Sequence, residues 1–317
     1  MRVLVGDIGG TNCRLALYER DHLVAAFKEP SADHPTLWPF VAAFVAQVGA
    51  PDVACFGVAG PVIDGRSTLT NLGWTLDAAD LQAHLGAPVR LINDFHAQAL
   101  AMPHLGPGDV EALDALTPAL DRPIAVLGAG TGLGEAFVVP HRGQWIAVPG
   151  EGAHARFAPR DEREIGLLRH LSTVFGGHVS VERVVSGPGL INVYSHLNAG
   201  HPPHPDMADM DSAAVITREA LRDGCPVCVE TMRIFVAAYA DEAASLALKC
   251  KAGQVFLTGG ISPRILPLLR RDFRRHFEDK GRYRSFLEDA PVRVVTHPDP
   301  GLLGARYGAR EMVEVGP

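Results

Sequence analysis

The sequence predicts an α/β protein made of two similar domains that face a shared cleft. The chain has 317 residues, 47% of them hydrophobic, which is enough for a large core and for two domains of about 150 residues each. Two glycine-rich turns lie between apolar runs, and another apolar run changes from a strand pattern to a helix pattern at Asn93. Strands that alternate with glycine turns and helices favour an α/β architecture.

The first glycine turn, at residues 6–11, stands between two apolar runs that we interpret as strands. The second turn, at residues 128–134, has the same surroundings. Superimposing Thr11 on Thr131 aligns the two patterns at an offset of 120 residues. One strand–turn–strand unit is therefore used twice, which predicts two related domains.

Both turns are candidates for binding phosphate groups. Consecutive glycines expose several backbone N–H groups on one concave surface, and Thr11 and Thr131 add hydroxyl donors. The alternative is an ordinary tight hairpin, since glycine permits a positive φ whether or not a ligand is present. Neither turn reads GxxxxGK[ST] or GxGxxG, which excludes the P-loop and dinucleotide signatures. Phosphoryl transfer without a P-loop is the chemistry left open.

Asp7 stands between the glycines of the first turn and is a candidate ligand of hydrated Mg²⁺. Magnesium usually keeps several waters and is held by one or two carboxylates together with phosphate oxygens. An aspartate in a turn can equally cap backbone amides. The sequence leaves both interpretations open.

Asp94 follows directly after a short strand pattern that ends at Asn93. Ligands of open α/β sheets gather beyond the carboxyl ends of the strands, so a substrate could reach this aspartate. Phosphoryl transfer uses a carboxylate to accept the proton of the attacking hydroxyl, and Asp94 is the candidate for this base. Aspartate is also a favoured helix N-cap, and the local sequence does not separate the two roles.

Three further polar residues are candidates for binding a sugar. Glu151 and His154 stand three residues apart in a glycine-bracketed turn, and Glu182 precedes another glycine turn at residues 186–189. Sugar hydroxyls both donate and accept hydrogen bonds, so carboxylate, amide and imidazole groups can pair with them specifically. Each of the three could instead be an exposed surface residue, because charged side chains mostly are.

A third glycine pair, Gly259 and Gly260, follows an apolar strand pattern and precedes a helix pattern. A flat ligand such as an adenine base could approach the backbone there. Close packing of the helix start against the strand would explain the pair equally well.

Charge and composition exclude several functional classes. The net charge of −7 disfavours a general nucleic-acid binder. The first residues enter a strand pattern without a signal-peptide core, and the best apolar helix pattern, residues 234–248, is shorter than the about 20 residues that a membrane span needs. Five cysteines fit a reducing compartment better than a disulfide framework, and the lone CxxC at residues 225–228 only weakly indicates zinc or redox chemistry. We expect a cytoplasmic protein without membrane contact.

Eight motifs occur in order along nearly the whole chain. They are GDIGGTN (6–12), AGP (59–61), INDF (92–95), GAGTGLG (128–134), PGEGAH (149–154), ERVVSGPGL (182–190), TGGI (258–261) and PGLLGA (300–305). Together they resemble the bacterial glucokinase family. The resemblance implies the duplicated ribonuclease-H-like fold that sugar kinases share with actin and the heat-shock ATPases. The zinc motif CxCGxxGC of the related repressor/kinase group is absent, so the chain resembles the zinc-free group.

The resemblance also implies an activity: transfer of the γ-phosphate of Mg-ATP to the 6-hydroxyl of D-glucose. It implies that Asp94 is the catalytic base and that Asp7 lies near Mg²⁺. The implied sugar site consists of Asn93, Asp94, Glu151, His154 and Glu182. The implied ATP site consists of Gly6, Asp7, Ile8, Gly9, Gly10, Thr11 and Asn12 in the first turn, Gly128, Gly130, Thr131 and Gly132 in the second, and Gly259 and Gly260 near the nucleoside.

The implied domains are a smaller one, residues 1–105 with 298–317, and a larger one, residues 106–297. The first would carry the first phosphate loop and Asp94, and the second would carry the other phosphate loop and the nucleoside site. A homodimer is the expected assembly.

Other functions of the same fold make different demands on the sequence. A broader hexose kinase acting on mannose or glucosamine, or an enzyme using polyphosphate as donor, would keep all these residues. An actin-like ATPase has no need of Asn93, Asp94, Glu151 and His154 together. A sugar-sensing regulator would need a helix-turn-helix, for which we expect no room before Gly6.

Overall fold

The computed structural model describes residues 1–20, 22–69 and 72–314. Within these residues the chain forms thirteen β-strands and ten α-helices. The strands are β1 (Arg2–Ile8), β2 (Asn12–Glu19), β3 (His22–Pro30), β4 (Val53–Val58), β5 (Arg66–Leu69), β6 (Trp74–Asp77), β7 (Val89–Asn93), β8 (Val110–Ala112), β9 (Ile124–Ala129), β10 (Leu133–His141), β11 (Gln144–Gly150), β12 (Gln254–Thr258) and β13 (Val292–Val295). The helices are α1 (Leu37–Val48), α2 (Ala78–Leu85), α3 (Asp94–Ala101), α4 (Glu162–Val174), α5 (Gly187–Leu197), α6 (Ser212–Leu221), α7 (Pro226–Cys250), α8 (Leu266–Phe277), α9 (Arg284–Glu288) and α10 (Pro300–Glu314).

The first sheet has five strands in the order β3-β2-β1-β4-β7. The pairs β1–β2 and β2–β3 are antiparallel, whereas β1–β4 and β4–β7 are parallel. Every residue of β4 is buried, as is usual for a parallel strand covered on both faces. The edge strand β3 instead alternates between exposed and half-buried residues along most of its length.

The second sheet has six strands in the order β11-β10-β9-β12-β13-β8. Its strand β9 pairs antiparallel with β10 and parallel with β12, which in turn pairs parallel with β13. The series β10-β9-β12-β13 therefore repeats β2-β1-β4-β7 in both order and direction. The predicted α/β class and the predicted duplication are confirmed. A separate two-stranded sheet joins β5 and β6.

The two glycine hairpins differ in length by one residue. Ile8 pairs with Cys13 across the first turn, whereas Ala129 pairs with Leu133 across the second. The offset of 120 residues therefore holds for the strands after the turns and becomes 121 for the strands before them. The glycine loops, rather than the strands, take up this difference.

Each sheet lies against its own hydrophobic core. Phe40, Phe44 and Phe56 are fully buried around the first sheet, and Phe235 and Tyr239 of α7 around the second. Most residues of α7 are buried over its 25 residues, which marks it as a central core helix. Burying one such large apolar side chain stabilises the fold by about 1.5–3 kcal/mol.

The chain divides into two compact units. Unit 1 comprises Met1–Leu105, His141–Pro149 and His297–Pro317, and unit 2 comprises Gly106–Pro140 and Gly150–Thr296. These bounds differ from the predicted ones in residues 141–149 and in His297, which the structure groups with unit 1. Residues 141–149 form the end of β10, the turn after it and most of β11. A boundary between units within one hairpin leaves no signal in the local sequence pattern.

Close packing in unit 1 sets the position of α3. A Cβ on Gly304 of α10 would collide with the carbonyl oxygen of Ala97. A Cβ on Gly57 of β4 would lie 3.1 Å from the Cβ of Ala97 and 3.7 Å from the Cα of Asp94. Because glycine has no side chain, α3 can approach both α10 and β4 closely. This approach places Asp94 at the carboxyl end of the sheet.

The described helices include none that is both long enough and apolar enough to cross a membrane.

Candidate active site

The helix cap at the start of α3 is Asn93, not Asp94. The side-chain oxygen of Asn93 accepts hydrogen bonds from the backbone N–H of Phe95 at 2.9 Å and of His96 at 3.1 Å, and its Nδ2 donates to the carbonyl oxygen of Gly60 at 3.1 Å. Asp94 is the first residue of the helix. The alternative in which Asp94 serves as the N-cap is therefore wrong, because the preceding residue already does so.

Asp94 has the properties of a base poised near neutrality. Its Oδ1 accepts a hydrogen bond from the N–H of Phe95 at 2.8 Å, and the side chain is half-buried. Burial, with a further contribution from the negative charge of Asp7, raises the pKa of Asp94 to about 6. A carboxylate in this state still ionises at neutral pH and has a higher affinity for a proton than a solvated aspartate.

Asp7 and Arg14 face each other across the first hairpin. Nη1 of Arg14 donates to Oδ2 of Asp7 at 3.1 Å, and Nε of Arg14 lies 3.4 Å from Oδ1 of Asp299. Burial raises the pKa of Asp7, while Arg14 opposes this shift. A Cβ on Gly301 would lie 3.2 Å from the Cγ of Asp7, so the first turn of α10 leaves room for this carboxylate.

Asp7 alone can supply only one or two ligands to a cation. Among the described residues no group of three or more His, Cys, Asp and Glu side chains could enclose a metal ion. Magnesium does not require such a group, because one or two carboxylates, water and phosphate oxygens suffice. The Asp7 carboxylate, oriented by Arg14, could supply one such ligand.

The second glycine turn is held by backbone hydrogen bonds. The N–H of Gly130 donates to the carbonyl oxygen of Gly132, and the N–H of Gly187 donates to the carbonyl oxygen of Gly130, both at 2.8 Å. The first residue of α5 thus lies against the turn. This hairpin presents backbone groups and the hydroxyl of Thr131, but no carboxylate of its own within the turn.

Glu182 lies at this second turn. Its Oε2 accepts a hydrogen bond from the N–H of Leu133 at 2.9 Å, and a Cβ on Gly132 would lie 2.6 Å from the same oxygen. The residue belongs to the 3-10 helix Val181–Arg183. Its carboxylate is therefore oriented by the loop, and the N–H of Leu133 is not available to a phosphate oxygen.

Glu151 and His154 come together at the surface of unit 2. Nε2 of His154 lies 3.7 Å from Oε2 of Glu151, and the two side chains are 60% and 77% exposed. Nε2 of His178 hydrogen-bonds the carbonyl oxygen of His154 at 3.0 Å. The N–H of Val181 donates to the carbonyl oxygen of Ala155 at 3.0 Å, so the backbone of this turn is joined to the segment that carries Glu182.

The third glycine pair packs directly on the second hairpin. Gly259 has a φ of +81°, and a Cβ there would collide with the backbone of Ala129. The N–H of Ile261 donates to the carbonyl oxygen of Ala129 at 3.1 Å. Of the two explanations considered for this pair, close packing of the helix start against the strand is present, and Gly259 is the residue that permits it.

A cavity of about 880 Å³ joins the second and third glycine turns. It lies within unit 2, and Gly130 and Thr131 line it together with Gly260 and Ile261. The remaining walls come from α5 and α6 and from Arg264. This volume is in the range of cavities that bind nucleotide-sized ligands.

Two charged residues near Asp7 were not predicted as site residues. Arg14 could have been found from the hairpin register, because residues 7 and 14 are equidistant from the middle of the turn. Asp299 precedes the PGLLGA motif, but its approach to Arg14 depends on chain folding over almost 300 residues. The predicted residues of unit 1 lie in the first hairpin and at the start of α3. In unit 2 the second and third turns line one cavity, Glu182 lies at the second turn, and Glu151 and His154 lie on a separate exposed turn.

The duplicated fold with its paired glycine hairpins is that of the actin-like ATPases, and the comparisons with known proteins assign the chain to the ATP-dependent sugar kinases of this fold. A family model described as Glucokinase matches residues 4–312. The chain belongs to the glucokinase family.

Individual relatives support this assignment over nearly the full length. A glucokinase of Nostoc punctiforme is 38% identical, covering 98% of this chain and 99% of that protein. The crystal structure of a glucokinase from an Antarctic psychrotroph has a TM-score of 0.86 and 32% identity, covering 98% of this chain and 99% of the other. A ROK family glucokinase from Streptomyces griseus, solved in complex with glucose and AMPPNP, shares the fold at a TM-score of 0.68 and 24% identity, covering 98% of this chain and all of the other.

Proposed function

We propose that the protein transfers the γ-phosphate of Mg-ATP to the 6-hydroxyl of D-glucose, giving glucose 6-phosphate and ADP. The observation that carries this proposal is the state of Asp94, which is free of the capping role, half-buried, and has a pKa raised to about 6. Membership of the glucokinase family makes glucose the first substrate to test.

Asp94 acts as the base in this proposal. Its carboxylate accepts the proton of the 6-hydroxyl as the oxygen attacks the γ-phosphorus and the bond from that phosphorus to the β,γ-bridging oxygen breaks. The N–H of Phe95 holds Oδ1, and Asn93 fixes the backbone at the start of α3. The base is therefore held in a defined orientation before the sugar binds.

The remaining sugar hydroxyls are assigned to Asn93, Glu151, His154 and Glu182. The Leu133–Glu182 hydrogen bond supports this assignment because it orients the Glu182 carboxylate. Glu151 and His154 lie 3.7 Å apart with both side chains open to a ligand. A site built from such groups rejects an analogue that lacks the matching hydroxyl, since its own polar atoms would be left unpaired.

The ATP phosphates are assigned to the two glycine turns and the nucleoside to the cavity beside Gly259 and Gly260. The loops at residues 6–12 and at Gly128, Gly130, Thr131 and Gly132 would lie against the phosphates, and the backbone N–H groups not already bonded within the hairpins would donate to the phosphate oxygens. The N–H groups of Gly9 and Gly130 are already bonded in this way, to the carbonyl oxygens of Asn12 and Gly132. Asp7 would hold Mg²⁺, and the bound ion would neutralise charge on the phosphate oxygens. Arg14 fixes the orientation of the Asp7 carboxylate.

Two further properties belong to the proposal. We infer a cytoplasmic location, supported by five free cysteines, which suit a reducing compartment. We also infer a homodimer, which sedimentation velocity over a range of protein concentrations would test.

The experiment that tests the function is a coupled assay that crosses glucose, mannose, glucosamine and fructose with ATP, GTP and polyphosphate. The expected result is ATP turnover that depends on glucose. Equal turnover with other hexoses would broaden the substrate class, and turnover with polyphosphate would add a donor. ATP hydrolysis that is unchanged by glucose would instead support an actin-like ATPase and overturn the proposal.

A further inference from the structure

One buried carboxyl group of unit 2 has no role in the function proposed above. Glu135 lies on β10 opposite Leu127 of β9 and is 2% exposed. Neither of its carboxyl oxygens has a hydrogen-bond partner among the described residues. Buried carboxyl groups are ordinarily paired, because an unpaired polar atom in the interior costs free energy. The position of Glu135 therefore calls for a functional reason.

Glu164 shows how this fold pairs another buried acid. It is also 2% exposed, but its carboxylate accepts hydrogen bonds from the backbone N–H and the guanidinium of Arg160. The interior of unit 2 is thus able to satisfy a buried glutamate. Glu135 and Glu164 are equally buried, but within the described part of the chain only Glu164 has hydrogen-bond partners for its carboxylate.

The Glu135 carboxyl lies directly beneath the turn that carries Glu151 and His154. A Cβ on Gly152 would collide with Oε2 of Glu135 and would lie 3.1 Å from its Cδ. A Cβ on Gly150 would lie 3.8 Å from the carbonyl oxygen of Glu135. The two glycines that bracket Glu151 therefore pack on one residue, and a change in the volume or charge of its carboxyl acts on the turn.

The charged and titratable neighbours of Glu135 inside the unit are on α7. Glu242 is 8% exposed, and its Oε1 lies 3.5 Å from Nζ of Lys249. The buried hydroxyl of Tyr239 hydrogen-bonds the carbonyl oxygen of Leu127, the strand partner of Glu135. On the turn itself Glu151 and His154 point to the exposed side.

These neighbours set the charge of the buried carboxyl. Burial and the negative charge of Glu242 raise the pKa of Glu135 to about 7, while Lys249 opposes the shift. The group is neutral in mildly acidic solution and becomes a buried, unpaired anion as the pH rises above neutrality.

We propose that Glu135 is a positioning residue for the sugar: its neutral carboxyl packs beneath Gly152 and keeps Glu151 and His154 in the arrangement that binds sugar hydroxyls. Ionisation places an unpaired charge beside Glu242, and the turn shifts so that water reaches the carboxylate. The inference rests on the proposed sugar site and gives that site a pH-dependent affinity. Glucose binds more tightly at pH 6 than at pH 8.

The test is calorimetric glucose binding between pH 6 and 8.5 for the unchanged enzyme, Glu135→Gln and Glu242→Gln. The glucose Kd of the unchanged enzyme should rise about 30-fold over this range, because pH 8.5 lies about 1.5 pH units above the pKa of the one group that ionises. Glu135→Gln, which is always neutral, should keep the low-pH Kd throughout. Glu242→Gln should move the rise to lower pH, because the charge that holds the Glu135 proton is gone.

A rise in Kd that persists unchanged in Glu135→Gln would overturn the inference. So would a Kd of the unchanged enzyme that does not vary with pH. Glu164→Gln is the matched control, because it removes the charge of an equally buried acid that is paired with Arg160. It should lower the Tm and leave the pH dependence of Kd intact; loss of that dependence here would also overturn the inference.

A double-mutant cycle tests the contact itself. Gly152→Ala alone should weaken glucose binding more than tenfold, since its Cβ collides with Oε2 of Glu135. Adding Glu135→Ala removes the colliding atoms and should restore part of the affinity, whereas additive losses would contradict the proposed contact. If the unchanged enzyme binds no glucose at any pH, the proposed function itself fails; glucose binding with additive losses overturns only the role of Glu135.

Discussion

The two glycine hairpins have the same backbone plan and different chemistry. In the first, Asp7 and Arg14 are direct strand partners joined by a 3.1 Å ion pair. In the second, the same places are occupied by Gly128 and Gly134. The comparison shows that the duplicated fold keeps the backbone pairing while the side chains differ: the first hairpin carries a charged pair where the second carries two glycines.

The difference extends from the hairpins to their surroundings. In unit 1 the negative charge of Asp7 contributes to the raised pKa of Asp94, so the two carboxylates are electrostatically coupled. In unit 2 the turn is held by the hydrogen bonds of Gly130 and Gly187, and Glu182 occupies the N–H of Leu133. We therefore expect substitutions in unit 1 to change kcat and substitutions in the second turn to change the KM for ATP.

The largest effect should come from Asp94→Asn. Because Asn cannot accept the hydroxyl proton, kcat should fall about 10³-fold, within the range that a general base contributes. The glucose Kd from calorimetry should change less than threefold, because Asn keeps the shape of the side chain. Asp80→Asn, an exposed acid on α2, is the control and should retain full activity. A kcat within tenfold of the unchanged enzyme would remove Asp94 from the role of base.

The next largest effect should come from Asp7→Asn, which removes a charge found only in the first of the two hairpin turns. Asp7→Asn keeps the size of the side chain and removes its negative charge, so kcat should fall on the order of 100-fold and the Mg²⁺ concentration for half-maximal rate should rise. Titration of the initial rate with Mg²⁺ at saturating ATP measures both. An unchanged Mg²⁺ requirement would show that the Asp7–Arg14 pair is structural and that its charge does not serve the cation.

A smaller effect is the acid limb of the pH profile. The base must be ionised to accept a proton, and the pKa of Asp94 is raised to about 6, so kcat/KM should fall as the pH drops through that value. At pH 5 the rate should be about tenfold below its value at pH 7. In Asp7→Asn the limb should move to lower pH, because the charge of Asp7 contributes to the raised pKa. A limb that stays in place would mean that the two carboxylates are not coupled.

The smallest effect should come from Gly130→Ala in the second turn. No described atom lies within 4 Å of a Cβ built on Gly130, so the Tm should not change. The methyl group should obstruct phosphate approach to the backbone and raise the KM for ATP about fivefold, roughly 1 kcal/mol of binding free energy. Gly108→Ala, equally open and outside the turn, is the matched control. An unaltered KM would place the phosphates elsewhere.

The hairpins and the start of α3 could be predicted because their signals are local. Alternating apolar residues, glycine turns and a strand that ends in Asn-Asp need only neighbouring residues to form. The choice between Asn93 and Asp94 as the cap could not be predicted, since both side chains suit that role. The backbone at Asn93 decided it, by directing the amide oxygen to the N–H groups of Phe95 and His96.

Glu135 shows the other limit of prediction from sequence. Glu135 lies two residues after Leu133, so both side chains point to the buried face of β10. A glutamate in a strand nevertheless normally indicates an exposed position. Gly152, seventeen residues further along, packs on the Glu135 carboxyl group, and the negative charge of Glu242 on α7 helps to raise its pKa. Sequence spacing contains no information on these approaches.

The sequence by itself determined the fold class, the duplication and the residues available for chemistry, because hydrophobic periodicity and glycine placement act over a few residues. The tertiary structure decided what those residues do. Asn93 caps α3, and Arg14 binds Asp7 and Asp299. Asp94 and Glu135 hold their protons more tightly than they would in water. The reason is physical. Desolvation and charge–charge interaction depend on distances between groups far apart in the chain, and only the folded structure sets those distances.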